Sequence, residues 1–244
     1  MESQVLNCNN CGEQVSESYC PNCGQRTKVG ELSYKDLGED LSQSLFSLEA
    51  PIWLTTRMLF TQPGVLFRDY LKGSRKKYYK PVAFFILVTA FYIIIRSIIG
   101  FDDHLESFIH IDAEVDNLYS QAREFMLMNI NKFLFLFVLG IGLFLKLFFY
   151  KQNRLVELWV IGFYTVGIYT LLTTFGTVFT IYSGNQIQSF VMLIFMIYFI
   201  YCCVKFFRGN VILKIIKSFF VFVLSMMLYI TAGFALSYLI VSLV

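Results

Sequence analysis

Four cysteines near the N-terminus are the residues best placed for chemistry. The chain reads Cys8-Asn9-Asn10-Cys11-Gly12, and after seven residues Cys20-Pro21-Asn22-Cys23-Gly24-Gln25. Two C-x-x-C knuckles at this separation can present four thiolates to one tetrahedral ion. The glycine after each second cysteine lets the backbone turn tightly, so that amides point at sulfur. So short a segment has almost no core of its own and needs a staple to fold. Structural Zn2+ held by Cys8, Cys11, Cys20 and Cys23 meets both needs. Disulfides are the alternative chemistry, but the topology derived below puts this segment in the cytoplasm, where thiols stay reduced. A catalytic zinc keeps an open position for water. Four cysteines close the shell, and no His or carboxylate is spaced to replace one, so a structural ribbon is expected.

Three other sets of residues carry candidate chemistry. Arg68, Lys72, Arg75, Lys76, Lys77 and Lys80 crowd the approach to the first apolar segment, with Tyr78 and Tyr79 among them. Such a run is the basic anchor and aromatic belt of a membrane span, or a site for anionic lipid headgroups or a phosphorylated ligand. Ionisable residues deep within spans mark transport or catalysis, and few exist here. Arg96 is the one to watch, although its position near the end of a span permits snorkelling. Thr170, Thr173, Thr177 and Thr180 recur at helical spacing on one face. That face either packs against another helix or lines a polar path. His104, His110 and Asp112 match no ligand spacing, and Cys202 and Cys203 read as small buried residues.

The elements that must position these groups are set by a very apolar composition. The 244 residues are 57% hydrophobic, 18% aromatic and 15% charged, with a mean hydropathy of +0.61. A soluble domain carries roughly 25% charged residues, so a water-soluble globule is excluded and the bilayer is the expected solvent. Residues 158–204 and 218–244 contain no Asp, Glu, Lys or Arg. A span needs about 20 apolar residues, and the longer run fits two, separated at Tyr182-Ser183-Gly184-Asn185-Gln186. The expected class is an all-α polytopic membrane protein with five transmembrane helices, at about 82–100, 131–150, 158–182, 187–206 and 218–242. Before them come a zinc ribbon over 1–30 and amphipathic interfacial helices with a basic juxtamembrane collar over 31–80. Leu41, Leu45, Leu48 and Ile52 stand at helical spacing in that second region, ahead of a break at Gln62-Pro63-Gly64. Residues 1–30 lack the apolar core of a secretory signal, so the first span is expected to act as the insertion signal.

Orientation follows from the basic loops. The collar, Lys151 with Arg154, and Lys205, Arg208, Lys214 and Lys217 fall on one side if five spans are correct. The loop over 101–130 is acidic, with Asp102, Asp103, Glu106, Asp112, Glu114, Asp116 and Glu124. This predicts a cytoplasmic N-terminus, an external acidic loop and an external C-terminus.

The combination of Tyr19–Gln25, the Pro63-Gly64 break, and Gly73, Arg75, Tyr78 and Pro81 in a G-x-R-x-x-Y-x-x-P pattern resembles a family of uncharacterised bacterial membrane proteins. That family, common in Bacteroidetes, has an N-terminal zinc ribbon and a hydrophobic C-terminal region. The resemblance covers roughly residues 5–100 and implies a bacterial inner-membrane location without an established activity. In topology alone the chain is also similar to the five-span membrane proteins of vesicle trafficking.

No G-x-S-x-G, H-E-x-x-H, nucleotide loop or pair of intramembrane Asp occurs, so an enzyme is not expected. The expectation is a non-enzymatic integral membrane protein. Its cytoplasmic ribbon docks or senses a partner, and its helices anchor or assemble a complex, as a homo-oligomer or with another protein, among anionic lipids. The alternative is a transporter, lipid-moving protein or small channel with a path lined by spans three to five. Nucleic acid is not an expected partner, because the basic run abuts the bilayer.

Overall fold

A computed structural model describes residues 6–27, 29–30, 32–38, 52–101, 118–184 and 187–243. The N-terminal piece is built on two short strands, β1 (Leu6–Asn7) and β2 (Gln14–Val15), paired antiparallel with Leu6 opposite Val15. A short helical stretch over 34–38 and then eight longer helices follow among the described residues. Of the helix expected from Leu41, Leu45, Leu48 and Ile52, the first three residues lie outside the described ones. α1 (Ile52–Thr61) and α2 (Pro63–Leu71) are separated at Gln62, with Pro63 opening α2 where its missing N–H costs nothing. Gly64 sits so close to the Lys205 backbone that a Cβ there would collide with the carbonyl. The Pro-Gly pair thus both breaks the helix and lets it approach its neighbour.

α2 does more than lie on a surface. Leu66, Phe67 and Tyr70 are fully buried, with Phe67 and Tyr70 packed on the ring of Tyr164. α1 faces two ways: Thr55 and Leu59 point inward, while Trp53 is 77% exposed. Tyr198 and Tyr201 donate their hydroxyls to the carbonyls of Leu59 and Thr61, closing the end of α1.

The apolar segments form α3 (Pro81–Ile98), α5 (Leu134–Phe148), α6 (Leu155–Ser183), α7 (Gln188–Phe206) and α8 (Val211–Leu243), and α4 (Leu118–Met128) precedes α5. Four of these, α3, α6, α7 and α8, are long and apolar enough to cross a membrane. The segment expected to span 131–150 is helical only over the 15 residues of α5. At about 1.5 Å per residue that is roughly 22 Å, against about 30 Å of hydrocarbon. Its start is held back by polar turns, in which Lys132 donates to the Asn129 side chain and Asn129 to the Phe125 carbonyl. The helix expected over 218–242 is longer than anticipated and begins at Val211. The extra turns are stabilised by lysines reaching the unpaired carbonyls at helix ends. Lys214 donates to the carbonyls of Val204 and Phe207 at the end of α7, and Lys217 to that of Phe148 at the end of α5.

α6 is the hub. It packs on α3, α5 and α7 and is apolar on all sides, the pattern of a helix enclosed by others. Glycines mark its closest approaches: Gly162 meets Val138, Gly167 meets the ring of Phe84 at 2.7 Å from an ideal Cβ, and Gly176 meets Val191. α6 ends at Gly184, whose φ of +70° provides the left-handed turn. Facing outward are Phe91, Ile94, Ile98, Leu143, Phe175, Phe179, Ile194, Ile197, Ile216 and Leu239. Apolar exposure on this scale suits lipid rather than water. Of the expected acidic loop, residues 102–117 lie outside the described ones, with His104, His110 and Asp112 among them.

Candidate metal centre and its docking loop

The two knuckles are near-copies twelve positions apart. In the first, the Gly12 N–H donates to the Cys8 carbonyl at 2.9 Å and the Cys8 N–H to the Glu13 carbonyl at 2.8 Å. In the second, Gly24 donates to Cys20 at 2.7 Å and Cys20 to Gln25 at 2.8 Å. Both turns need a left-handed residue, and Gly12 and Gly24 supply it with φ of +80° and +64°. The four Sγ atoms consequently lie within 4.8 Å of one another. Cys8 Sγ is 3.6 Å from Cys23 Sγ, and Cys11 Sγ is 3.5 Å from Cys20 Sγ. A disulfide would need about 2.05 Å. The four thiols are free and arranged as one ligand set.

Electrostatics shows what that set lacks. Burial pushes the Cys8 thiol up, but donation from the Cys11 and Asn10 backbone and from the thiols of Cys23 and Cys11 more than offsets this and brings it to about 7. The Glu13 backbone pulls Cys11 down, yet desolvation and the thiols of Cys20, Cys23 and Cys8 push it up to about 12. The Cys8 thiolate forms readily, whereas Cys11 resists ionising beside it. A cation at the centre removes that conflict, and four sulfurs at this spacing fit a metal ion.

The module is not tethered loosely. Gln25, 4% exposed, sends its Nε2 to the Gly73 carbonyl at 2.8 Å, while its Oε1 accepts from the N–H groups of Arg75 and Lys76, each at 3.1 Å. The first knuckle binds the same loop. Ser74 Oγ donates to the Asn9 carbonyl at 2.6 Å, and the Lys77 N–H donates to Asn10 Oδ1 at 2.9 Å. Gly73, with φ of +108°, brings the loop against Asn9. Both knuckles therefore grip residues 73–77, which lead directly into α3.

This grip divides the basic run. Arg75 donates to the Gly30 carbonyl at 3.0 Å and pairs with Asp36 at 3.4 Å. Lys77 pairs with Asp69 at 3.3 Å, and the same carboxylate accepts from the Tyr78 hydroxyl at 3.0 Å. The Tyr78 and Asp69 contacts hold Lys77 above its ordinary value, and burial raises Tyr78. Lys80 stands just before α3, as its extended N-cap. Arg68 and Lys72 instead line a cavity with Lys151 and Arg208.

Arg96 is 4% exposed and lines a cavity of about 280 Å³ at the far end of the bundle, together with Thr170, Thr173 and Tyr229. Thr177 and Thr180 do not line it. Their hydroxyls, like those of Thr170 and Thr174, donate back to the carbonyl four residues earlier. Most of the threonine face is thus satisfied inside its own helix. Cys202 and Cys203 are buried.

Sequence spacing located the four clustered cysteines but missed the role of Gln25, Asn9 and Asn10 in seating the module. Asn9 and Asn10 signalled only polarity inside a knuckle, which any solvated turn would share, and Gln25 stood out only as the last residue of the Tyr19–Gln25 motif.

Residues 49–93 match a family model described as protein of unknown function (DUF3667). The match covers α1, α2, the gripped loop and the first part of α3, and stops short of the cysteines. No curated protein and no solved structure matches the chain.

Proposed function

We propose that this chain is a non-enzymatic integral membrane protein whose cytoplasmic four-cysteine module holds structural Zn2+ and serves as a metal-dependent docking element, while its helices anchor or assemble a membrane complex. The observation that carries this is the Gln25 side chain. It sits one residue beyond a knuckle glycine and makes three hydrogen bonds to the loop that enters α3. The metal-folded module is thereby coupled to the bundle instead of hanging from a linker. Zinc suits the donor set: at about 2.3 Å per Zn–S bond, tetrahedral sulfurs stand roughly 3.8 Å apart, close to the 3.5 and 3.6 Å pairs. The closed thiolate shell supports a structural role over a catalytic one.

The test uses full-length protein purified from a membrane in the presence of a crosslinker. About one zinc per chain and a stoichiometric protein partner or second copy, both lost in Cys20→Ser, are the expected results. Zinc-free protein isolated without chelator would overturn the metal assignment, and a partner retained by Cys20→Ser would overturn the docking role.

A transport reading has one observation in its favour, the cavity that joins Arg96 to Thr170 and Thr173. Liposomes containing the purified chain separate the two: flux or headgroup scrambling abolished by Arg96→Leu would replace the anchoring role with a path.

A further inference from the structure

Three segments distant in sequence bring their cations to one place at the end of the bundle nearest the cysteine module. Arg68 and Lys72 from the end of α2, Lys151 from the α5–α6 turn and Arg208 from the α7–α8 turn line a cavity of about 650 Å³, with no Asp or Glu among its lining residues. That volume is within the range of about 300–1,000 Å³ typical of small-ligand sites.

The two turns are locked together rather than merely adjacent. Gln152 Nε2 donates to the Arg208 carbonyl at 3.1 Å, and the Arg208 N–H donates back to Gln152 Oε1 at 2.9 Å. This reciprocal pair, across 56 positions of sequence, fixes the backbones that carry Lys151 and Arg208. Arg68 is aimed by donating from one guanidinium nitrogen to the Lys205 carbonyl at 2.8 Å, which leaves the rest of its planar fork for a second acceptor. Lys72, Lys151 and Arg208 are exposed and stand at the mouth. Four like charges held in one cleft repel one another and are relieved by an anion. A run of basic residues serving only to orient a span needs no such convergence, and Arg75 and Lys77 of the same run are engaged by carboxylates elsewhere.

We infer that Arg68, Lys72, Lys151 and Arg208 form a binding site for a phosphate-bearing ligand, the chemistry shared by an anionic phospholipid headgroup and a soluble phosphate or diphosphate. Arginine forks suit phosphate oxygens bidentately and lysines add point charge, and basic pockets between helices at a membrane surface hold acidic headgroups. Phe206 adds an apolar wall to the pocket. None of its lining residues belongs to the cysteine knuckles.

The experiment uses the full chain in nanodiscs of neutral phosphatidylcholine, with thermal unfolding and native mass spectrometry as readouts. Phosphatidylglycerol is titrated into the discs in one arm, and inorganic phosphate or pyrophosphate into the buffer in the other. Saturable stabilisation with one ligand retained per chain is expected. Lys72→Gln and Lys151→Gln should each weaken it about fivefold, whereas Arg57→Gln, on the exposed side of α1, should not. Saturation by phosphatidylglycerol alone assigns a lipid headgroup, and saturation by phosphate or pyrophosphate in neutral discs assigns a soluble ligand. Both support the site. No saturable binding in either arm, or an equal loss in Arg57→Gln, would overturn it and leave only diffuse attraction. Neither lysine side chain donates a hydrogen bond to the fold among the described residues, so the variants should fold; a lower melting temperature without ligand, restored by none, would show that these lysines are structural and would also overturn the assignment.

Discussion

Among the described residues of the cysteine module only Val15 joins Cys8 and Cys20 in the buried apolar cluster, whereas Phe67, Phe84, Phe137, Phe195 and Phe199 lie fully buried in the bundle. The first region has too little apolar surface to offset its chain entropy, and the proposed metal would supply the bonds that hold it. The second buries aromatic rings and closes helix ends with lysines. Two parts of one chain, joined through Gln25 and residues 73–77, thus answer to different forces. A perturbation aimed at one should spare the other, except through that joint.

Metal loss is the sharpest way to break this comparison, since structural zinc contributes about 10–16 kcal/mol in small domains. In Cys8→Ser or chelated protein, amide exchange should speed up throughout 6–27 while α6 keeps its protection; exchange lost in both would show one cooperative unit. Acid should act in the same direction. Metal binding needs thiolates, and Cys11 without metal lies near 12, so binding displaces protons. Occupancy should rise with pH and fall on acidification, as followed by zinc release to a chromogenic indicator. Release that grows with alkalinity would contradict the thiolate site.

Gly167→Val attacks the bundle instead. Its side chain must enter the ring of Phe84, and overpacking of that size costs about 3 kcal/mol. The melting temperature should fall with zinc content unchanged. Gln25→Ala strikes the joint and removes its three hydrogen bonds to residues 73–76, with the Arg75 N–H and the Gly73 carbonyl still bonded to each other, at about 1–3 kcal/mol. Faster exchange at 73–77 with zinc retained is expected; loss of zinc as well would mean that docking and metal binding are a single event. The smallest effect should come from Thr177→Val. Its hydroxyl donates to Thr173 inside α6 and accepts only a long bond, 3.4 Å, from Gln188 of α7, so the change in stability should stay within about 1 kcal/mol, read from the same melting curves.

Local pattern and tertiary placement differed in what they revealed. The knuckle spacing named the four cysteines that cluster, because a C-x-x-C turn closes within a few residues. Pro63-Gly64 and Pro81 marked helix boundaries for equally local reasons. The turns at Asn129 and Lys132 shortened α5 through polar side chains that an apolar window averages away. Lys214 and Lys217 looked like loop residues because charge normally ends a span, yet inside α8 they satisfy the carbonyl ends of two other helices. The basic run read as one feature, but Arg75 and Lys77 find carboxylates while Arg68 and Lys72 join Lys151 and Arg208.

What the amino-acid order determined alone was therefore whatever rests on neighbours in the chain or on solvent preference: the cysteine cluster, the helix breaks, and apolar stretches too long for a water-soluble protein. Only the tertiary structure decided that Gln25 seats the module on residues 73–77, that the threonine hydroxyls mostly turn back into α6, and that cations up to 140 positions apart (Arg68 to Arg208) share one cleft. Such meetings depend on how helices pack against one another, and short-range spacing carries no record of which distant backbone will stand alongside.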